Sequence, residues 1–239
     1  MGKTMVDAAL DCGANIVAVD HSKKALKELK AEQSDNSKFL EIEGDITQVG
    51  SIQQVIEAAV EKFGSLDGAV NTAYPRNKHY GRGFFDVTYE DFCENLTLHL
   101  GGYFLFMQQC AKYALVEQKN FSLVNMSSIY GVMAPRFDVY AGTAMTMPVE
   151  YAAIKSGLQH LGSYVSAYTK GSKFRVNCVS PGGILAGQDQ AFLDRYNSYC
   201  RDKGMLEPND ILGTILFLLS DASEYVCGQN LIVDDGFSI

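Results

Sequence analysis

Ser122-Leu-Val-Asn125-Met-Ser-Ser128, then Tyr151-Ala-Ala-Ile-Lys155, then Arg175-Val-Asn-Cys-Val179 is the stretch from which the fold can be read. Ser122–Asn125 and Arg175–Val179 are short apolar runs bounded by turn residues, the pattern of buried parallel strands. Between them, Val149–Tyr168 has the length and periodicity of an amphipathic helix. Outward from this unit the rhythm repeats. Ile16–Val19, Phe39–Ile42, Gly68–Asn71 and Leu231–Val233 read as further strands. Lys3–Cys12, Lys23–Lys30, Ser51–Phe63, Tyr89–Ala114 and Asn209–Leu219 read as helices. Such alternation specifies an α/β chain, a doubly wound parallel sheet with helices on both faces. Ligands of these sheets sit at the carboxyl ends of the strands.

With 239 residues, the chain is long enough for one well-buried domain and short for two, so 1–239 is taken as a single unit. Hydrophobic content of 47% with 20% charged residues is ordinary globular composition. The net charge of −8 argues against nucleic-acid binding. Cys12, Cys93, Cys110, Cys178, Cys200 and Cys227 form no CxxC pair and lie near no histidine at ligand spacing. They read as reduced thiols of a cytoplasmic protein without a metal site. The longest apolar run, Ile211 to Leu219, is too short to span a bilayer, and the helical pattern at the N-terminus leads us to expect no secretory leader.

The start of the chain departs from this scheme. A nucleotide-binding sheet of this kind opens with a strand and a glycine-rich turn, whereas Met1-Gly2 leads directly into the helical pattern. Asp20 ends the next strand where an acidic residue meets the adenosine ribose, at a spacing that suits Gly2 as the last glycine of such a turn. The expectation is a sheet whose first strand and most of whose glycine-rich loop are missing.

Tyr151 and Lys155 share one helix face about one turn apart. A free phenol titrates near ~10, and a neighbouring ammonium is expected to favour the phenolate and bring it into a useful range. A serine hydroxyl alongside can hold the oxygen of a carbonyl or alkoxide. Ser128 is the expected donor, with Ser127 as its neighbour; strand alternation turns only one of them to the site.

With these residues placed, the chain resembles the short-chain dehydrogenase/reductases. Gly2-Lys3 resembles the tail of the TGxxxGxG loop, Gly44-Asp45-Ile46-Thr47 the segment against adenine, and Asp67-Gly-Ala-Val-Asn71-Thr-Ala-Tyr74 the NNAG strand end. Asn125-Met-Ser-Ser128, Tyr151-Ala-Ala-Ile-Lys155, Arg175-Val-Asn177, Ser180-Pro181-Gly182 and Gly228-Gln229 through Val233-Asp-Asp-Gly236 follow in family order. The resemblance implies one Rossmann-like domain and hydride transfer between a nicotinamide and a secondary alcohol or ketone. It casts Tyr151 as acid/base, Lys155 as ribose ligand and tuner of Tyr151, and Ser128 as the group orienting the carbonyl. It also implies cofactor contacts at Gly2, Asp20, Asp45, Ile46, Asn71, Ala73, Pro181, Gly182 and Ile184, and a homodimer or homotetramer built on Tyr89–Ala114, Val149–Tyr168 and the C-terminal strand. Between Ser128 and Tyr151 the chain is similar to the flagellin-modification oxidoreductases of nonulosonic-acid sugar pathways.

Five features bear on specificity. The family's asparagine that holds a water in the proton path is replaced by His99, which either packs or relays protons with a charge that changes near neutral pH; Asn95, one turn earlier, is the fallback. Asp20 either caps its strand or accepts the ribose hydroxyls, favouring NAD over NADP, with Lys23 and Lys24 softening the preference. Tyr74 stands where the family has glycine. In the loop after it, Arg76, Lys78 and Arg82 are either solvated or attract an anionic substrate. The stretch Ala134–Met147 lengthens the Ser128–Tyr151 interval to 23 residues and is expected over the pocket, hinting at a sugar or sugar phosphate. Two other functions fit the same residues: transient oxidation within a nucleotide-sugar epimerase or dehydratase cycle, and nucleotide sensing without catalysis.

Overall fold

The computed structural model describes residues 1–33 and 36–239. In chain order the elements are α1 (Gly2–Asp11), β1 (Ile16–Asp20), α2 (Lys23–Ala31), β2 (Phe39–Glu43), α3 (Val49–Phe63), β3 (Gly68–Asn71), α4 (Tyr89–Asn95), α5 (Gly102–Glu117), β4 (Phe121–Met126), α6 (Val149–Tyr168), β5 (Phe174–Pro181), α7 (Gln190–Asn197), α8 (Leu212–Leu219) and β6 (Asn230–Val233). All strand pairs are parallel.

The central strands are apolar because both of their faces are covered. β4 is buried along its whole length, and β5 nearly so. Leu123, Val176 and Cys178 pack under Met107, Cys110 and Leu158 of α5 and α6. Val124, Met126 and Val179 pack against Ile215 and Leu218 of α8 and Met5 of α1. Burial of that many branched side chains stabilises the sheet by about 1.5–3 kcal/mol each relative to exposure.

The sheet is in two parts: β1 pairs with β2, and β3-β4-β5-β6 form a separate four-stranded sheet. Between β1 and β3 lies a cavity of about 1510 Å³, lined by both strands and by side chains of α1, α3 and α8. The edges of β1 and β3 that face this gap are unpaired. Gly2, at the start of α1, sits beside Thr72 just past the carboxyl end of β3.

Three elements differ from expectation. The helix expected over Tyr89–Ala114 runs to Glu117 and contains a π-helical turn, Leu96–Gly101, between α4 and α5. The stretch expected as a helix over Asn209–Leu219 begins as a tighter 3₁₀ turn, Pro208–Ile211, because Pro208 and the Glu207/Asp210 capping box set its first turn. The helix α7 was not expected, since its eight residues are mostly polar and only Phe192 and Tyr196 are buried.

Candidate active site

β4 ends at Met126, and the chain then passes Ser127 and Ser128 into a 3₁₀ turn, Ile129–Gly131. That turn lies directly on α6: a Cβ at Gly131 would come within 2.6 Å of the Lys155 backbone. Only glycine allows this approach, which brings the serines level with the first turns of α6. Gly157 likewise lies against Leu100 of the π turn, setting α6 close to His99. Three distant segments thus converge at the carboxyl end of β4.

The two serines divide. Ser127 donates to the Lys155 carbonyl (3.1 Å) and accepts from Gln159 (3.0 Å), so it fastens α6 to the sheet. Ser128 accepts the Tyr130 N–H (3.2 Å) and faces the Tyr151 phenol, whose pKa it acts to lower. Lys155 is buried, its Nζ donating to the Met126 carbonyl at 2.7 Å and lying 3.4 Å from His99 Nε2. The ammonium stands 5.5 Å from the centre of the Tyr151 ring.

Burial dominates the electrostatics. The Tyr151 phenol is pushed up to about 12 by desolvation, which outweighs the lowering by Ser128. Lys155 is pushed down to about 7, because the same dry surroundings disfavour its charge. This departs from the expectation that Lys155 brings the Tyr151 phenol down: burial raises the phenol and lowers the ammonium. His99 is also corrected. It is fully buried and held down to about 3 by desolvation, with the Lys155 and Arg76 charges adding to the effect, so it stays neutral across the physiological range. His99 faces Lys155 and the Tyr74 ring (5.0 Å), and its Nδ1 has no partner. Asn95 does not reach Lys155. Its side chain bonds Asn77 and Glu150 and ties the loop after β3 to the helices.

Tyr74 lies within the cluster. Its ring meets those of Tyr151 (5.9 Å) and Tyr80 (5.8 Å) edge-on, and its hydroxyl donates to that of Tyr80 at 2.8 Å. Arg76 lies over the Tyr74 ring at 4.7 Å. Arg82 is a correction: with His79, it is bound to the Asp91 carboxylate, at 2.8 and 2.9 Å, so its charge is already matched. Tyr80 and Glu150 were not singled out from sequence. Glu150 is buried with Oε2 unpartnered, and an acidic residue immediately before Tyr151 was the available signal.

Of the expected cofactor contacts, Gly2, Asp20, Asp45, Ile46, Asn71 and Ala73 line the cavity between β1 and β3, whereas Pro181, Gly182 and Ile184 do not. Asp20 is exposed at the end of β1, with Oδ1 accepting the Ser22 N–H (2.8 Å) and Oδ2 free. Lys23 and Lys24 pair with Glu43 and Glu28 rather than with Asp20. Gly44, Asp45 and Ile46 adjoin Asp20, through a bond from the Gly44 N–H to the Asp20 carbonyl. Asn71 is buried, its Oδ1 accepting the Ala73 N–H (3.1 Å) and its Nδ2 unpartnered. Pro181 ends β5; Gly182 adjoins Tyr196 and Asp234, where a Cβ would come within 3.0 Å, and Ile184 bridges to Leu206. The stretch 134–147 packs on α7, with Tyr140 against Phe192 (5.2 Å) and its hydroxyl donating to Tyr130 (3.2 Å). Met145 and Met147 adjoin the same cluster as Tyr151, so this stretch walls the site on the α7 side. Among the described residues no group of side chains could hold a metal ion, all six cysteines are unpaired, and no helix is long and apolar enough to cross a membrane.

Comparison with known proteins bears on this geometry. Residues 1–238 match the family model described as enoyl-(acyl carrier protein) reductase. Post-translational flagellin modification protein A of Campylobacter coli is 39% identical, over all of this chain and 94% of its own length. The 3-oxoacyl-[acyl-carrier-protein] reductase of Thermotoga maritima is 30% identical over 95% of this chain and 89% of its own. A short-chain dehydrogenase of Leptospira borgpetersenii, solved with bound NAD⁺, superimposes with a TM-score of 0.87 at 31% identity, covering all of this chain and 88% of that one. The chain belongs to the short-chain dehydrogenase/reductase family of NAD(P)-dependent oxidoreductases.

Proposed function

We propose that the protein moves a hydride between NAD(H) and a secondary alcohol or its ketone, on a sugar-like or anionic substrate used in making a flagellin-glycan precursor. One observation carries the chemistry: Ser128 faces the Tyr151 phenol closely enough to act on its titration, with Lys155 one turn along the same helix. The residues present fit a dinucleotide. Asp20 keeps one carboxylate oxygen free at the end of β1, and Asn71 Nδ2 is a buried donor without a partner in the same cleft. When bound, the nicotinamide supplies or takes the hydride.

The remaining steps belong to the chain. In reduction, Ser128 holds the carbonyl oxygen and Tyr151 gives it a proton as the hydride arrives at carbon; oxidation reverses both. A phenol near 12 is a suitable donor to an alkoxide and a poor acceptor from an alcohol. Lys155, at about 7, is therefore the group whose charging favours the phenolate, and neutral His99 Nε2 beside it can accept a hydrogen bond from its Nζ. The Asp20 carboxylate repels a 2′-phosphate, so NAD is favoured.

The flagellin-glycan reading is supported by the Campylobacter relative alone. We place the protein in the cytoplasm, where unpaired cysteines persist. Self-association as a homodimer or homotetramer is supported by exposed Phe104, Leu115 and Val116 on α5 and by Tyr164 and Tyr168 on α6. Calorimetric titration with NADH and then NADPH tests the cofactor assignment. Tighter binding of NADPH overturns the role of Asp20, and binding of neither overturns the function.

A further inference from the structure

We propose that Arg76 is the residue that selects the substrate, receiving an oxyanion of a molecule whose reacting carbonyl lies against Tyr151 and Ser128. This rests on the hydride-transfer function above and names its substrate class: a sugar-sized alcohol or ketone carrying a phosphate or carboxylate.

The charges of the loop after β3 sort themselves. Asp91 takes both Arg82 and His79, while Asn77 bonds Asp91, Glu94 and Asn95 and holds the loop on α4. Lys78 is exposed and lies over no ring. Arg76 is likewise exposed and has no carboxylate partner among the described residues, but its guanidinium is held over a ring of the site. That ring belongs to Tyr74, and it also meets His99 and Tyr151 edge-on. Its charge reaches the site, since it contributes to holding His99 neutral.

A guanidinium held over a ring without a carboxylate partner still has N–H donors with which to grip a phosphate or carboxylate by two hydrogen bonds. In a chain of net charge −8, an unmatched cation at the edge of a cleft is where an anion concentrates. The guanidinium is separated from the Tyr151 ring by one intervening tyrosine ring. The oxyanion and the reacting carbon must therefore be several bonds apart, as in a sugar phosphate or uronic acid and not in a short 2-keto acid. The Tyr74 and Tyr80 hydroxyls share one hydrogen bond between them, which leaves one proton for a substrate hydroxyl on the way.

The test uses the full chain loaded with NADH, titrated by calorimetry with glucose 6-phosphate, glucuronate and glucose. The two anions are expected to bind about ten- to hundredfold tighter than glucose, the range for hydrogen bonds to a charged group. Arg76→Gln should erase that difference, and Arg76→Lys should keep part of it. Lys78→Gln removes the same charge two residues away and should change nothing. The two anions distinguish phosphate from carboxylate recognition. Glucose binding as tightly as the anions, binding of none of the three, or an undiminished anion preference in Arg76→Gln would overturn the inference and leave the function standing. An equal loss of NADH affinity in Arg76→Gln would assign the residue to the cofactor and overturn it as well. Failure of the unsubstituted chain to bind NADH would overturn the function and the inference with it.

Discussion

Replacing Lys155 by methionine should make the protein's stability less dependent on pH, and the size of the change follows from burial. The Lys155 ammonium is held at about 7 against 10.5 for a free lysine side chain. Between those values the unfolded chain carries a proton that the folded protein does not, so unfolding stability rises with pH across the window. Below pH 7 both states are charged and the full cost of the buried charge is felt. Each pH unit within the window is worth about 1.36 kcal/mol, so the wild type recovers about 3 kcal/mol between pH 7 and pH 10. Methionine keeps most of the volume and does not titrate. It also deprives the Met126 carbonyl of its 2.7 Å donor, at a cost of about 1–3 kcal/mol that does not vary with pH. The stability of the variant relative to wild type at one pH mixes both effects; its change between two pH values isolates the first. Urea unfolding followed by far-UV circular dichroism at pH 7 and pH 10 measures it. The variant should lose about 3 kcal/mol relative to wild type on going to pH 10. A difference that is the same at both pH values would refute the claim that burial governs this lysine.

Three further outcomes are expected. Tyr151→Phe should leave NADH affinity nearly intact and lower turnover by orders of magnitude, since it removes only the proton that passes in the transition state; persisting turnover in steady-state assays counts against the mechanism. His99→Asn should leave the pH–rate profile between pH 5 and pH 8 unshifted, because His99 is neutral throughout; a limb near 6.5 that vanishes in the variant would contradict this. Amides of β1 and β2 should exchange with deuterium well before those of β4 and β5, because no sheet hydrogen bond joins the two-stranded part to the four-stranded one. Equal protection in native-state exchange would show that the two parts open together.

The fold was legible wherever the pattern is local. The six strands lie where apolar runs bounded by turns put them; in β4 and β5, burial on both faces leaves little choice of side chain. α7 escaped because two buried rings in eight residues make a weak periodic signal. The π turn, Leu96–Gly101, also escaped; it lies where Leu100 meets Gly157 of α6. Within the site, Tyr151, Lys155 and Ser128 are brought together as their spacing suggested. Their titration was not legible, since spacing reports neighbours and not solvent.

The sequence by itself determined the order of strands and helices and the pairing of Tyr151 with Lys155 on one helix face, because periodicity and spacing are properties of the chain read residue by residue; the family was legible through the resemblance of its motifs. Only the tertiary structure decided which serine faces Tyr151, which way burial moves Tyr151, Lys155 and His99, and which cations of the loop after β3 are already matched. Those outcomes depend on desolvation and on partners far away in the chain. Asp91 neutralising Arg82 while Arg76 is left over the Tyr74 ring is a matter of distances of a few ångströms, to which no one-dimensional pattern is sensitive.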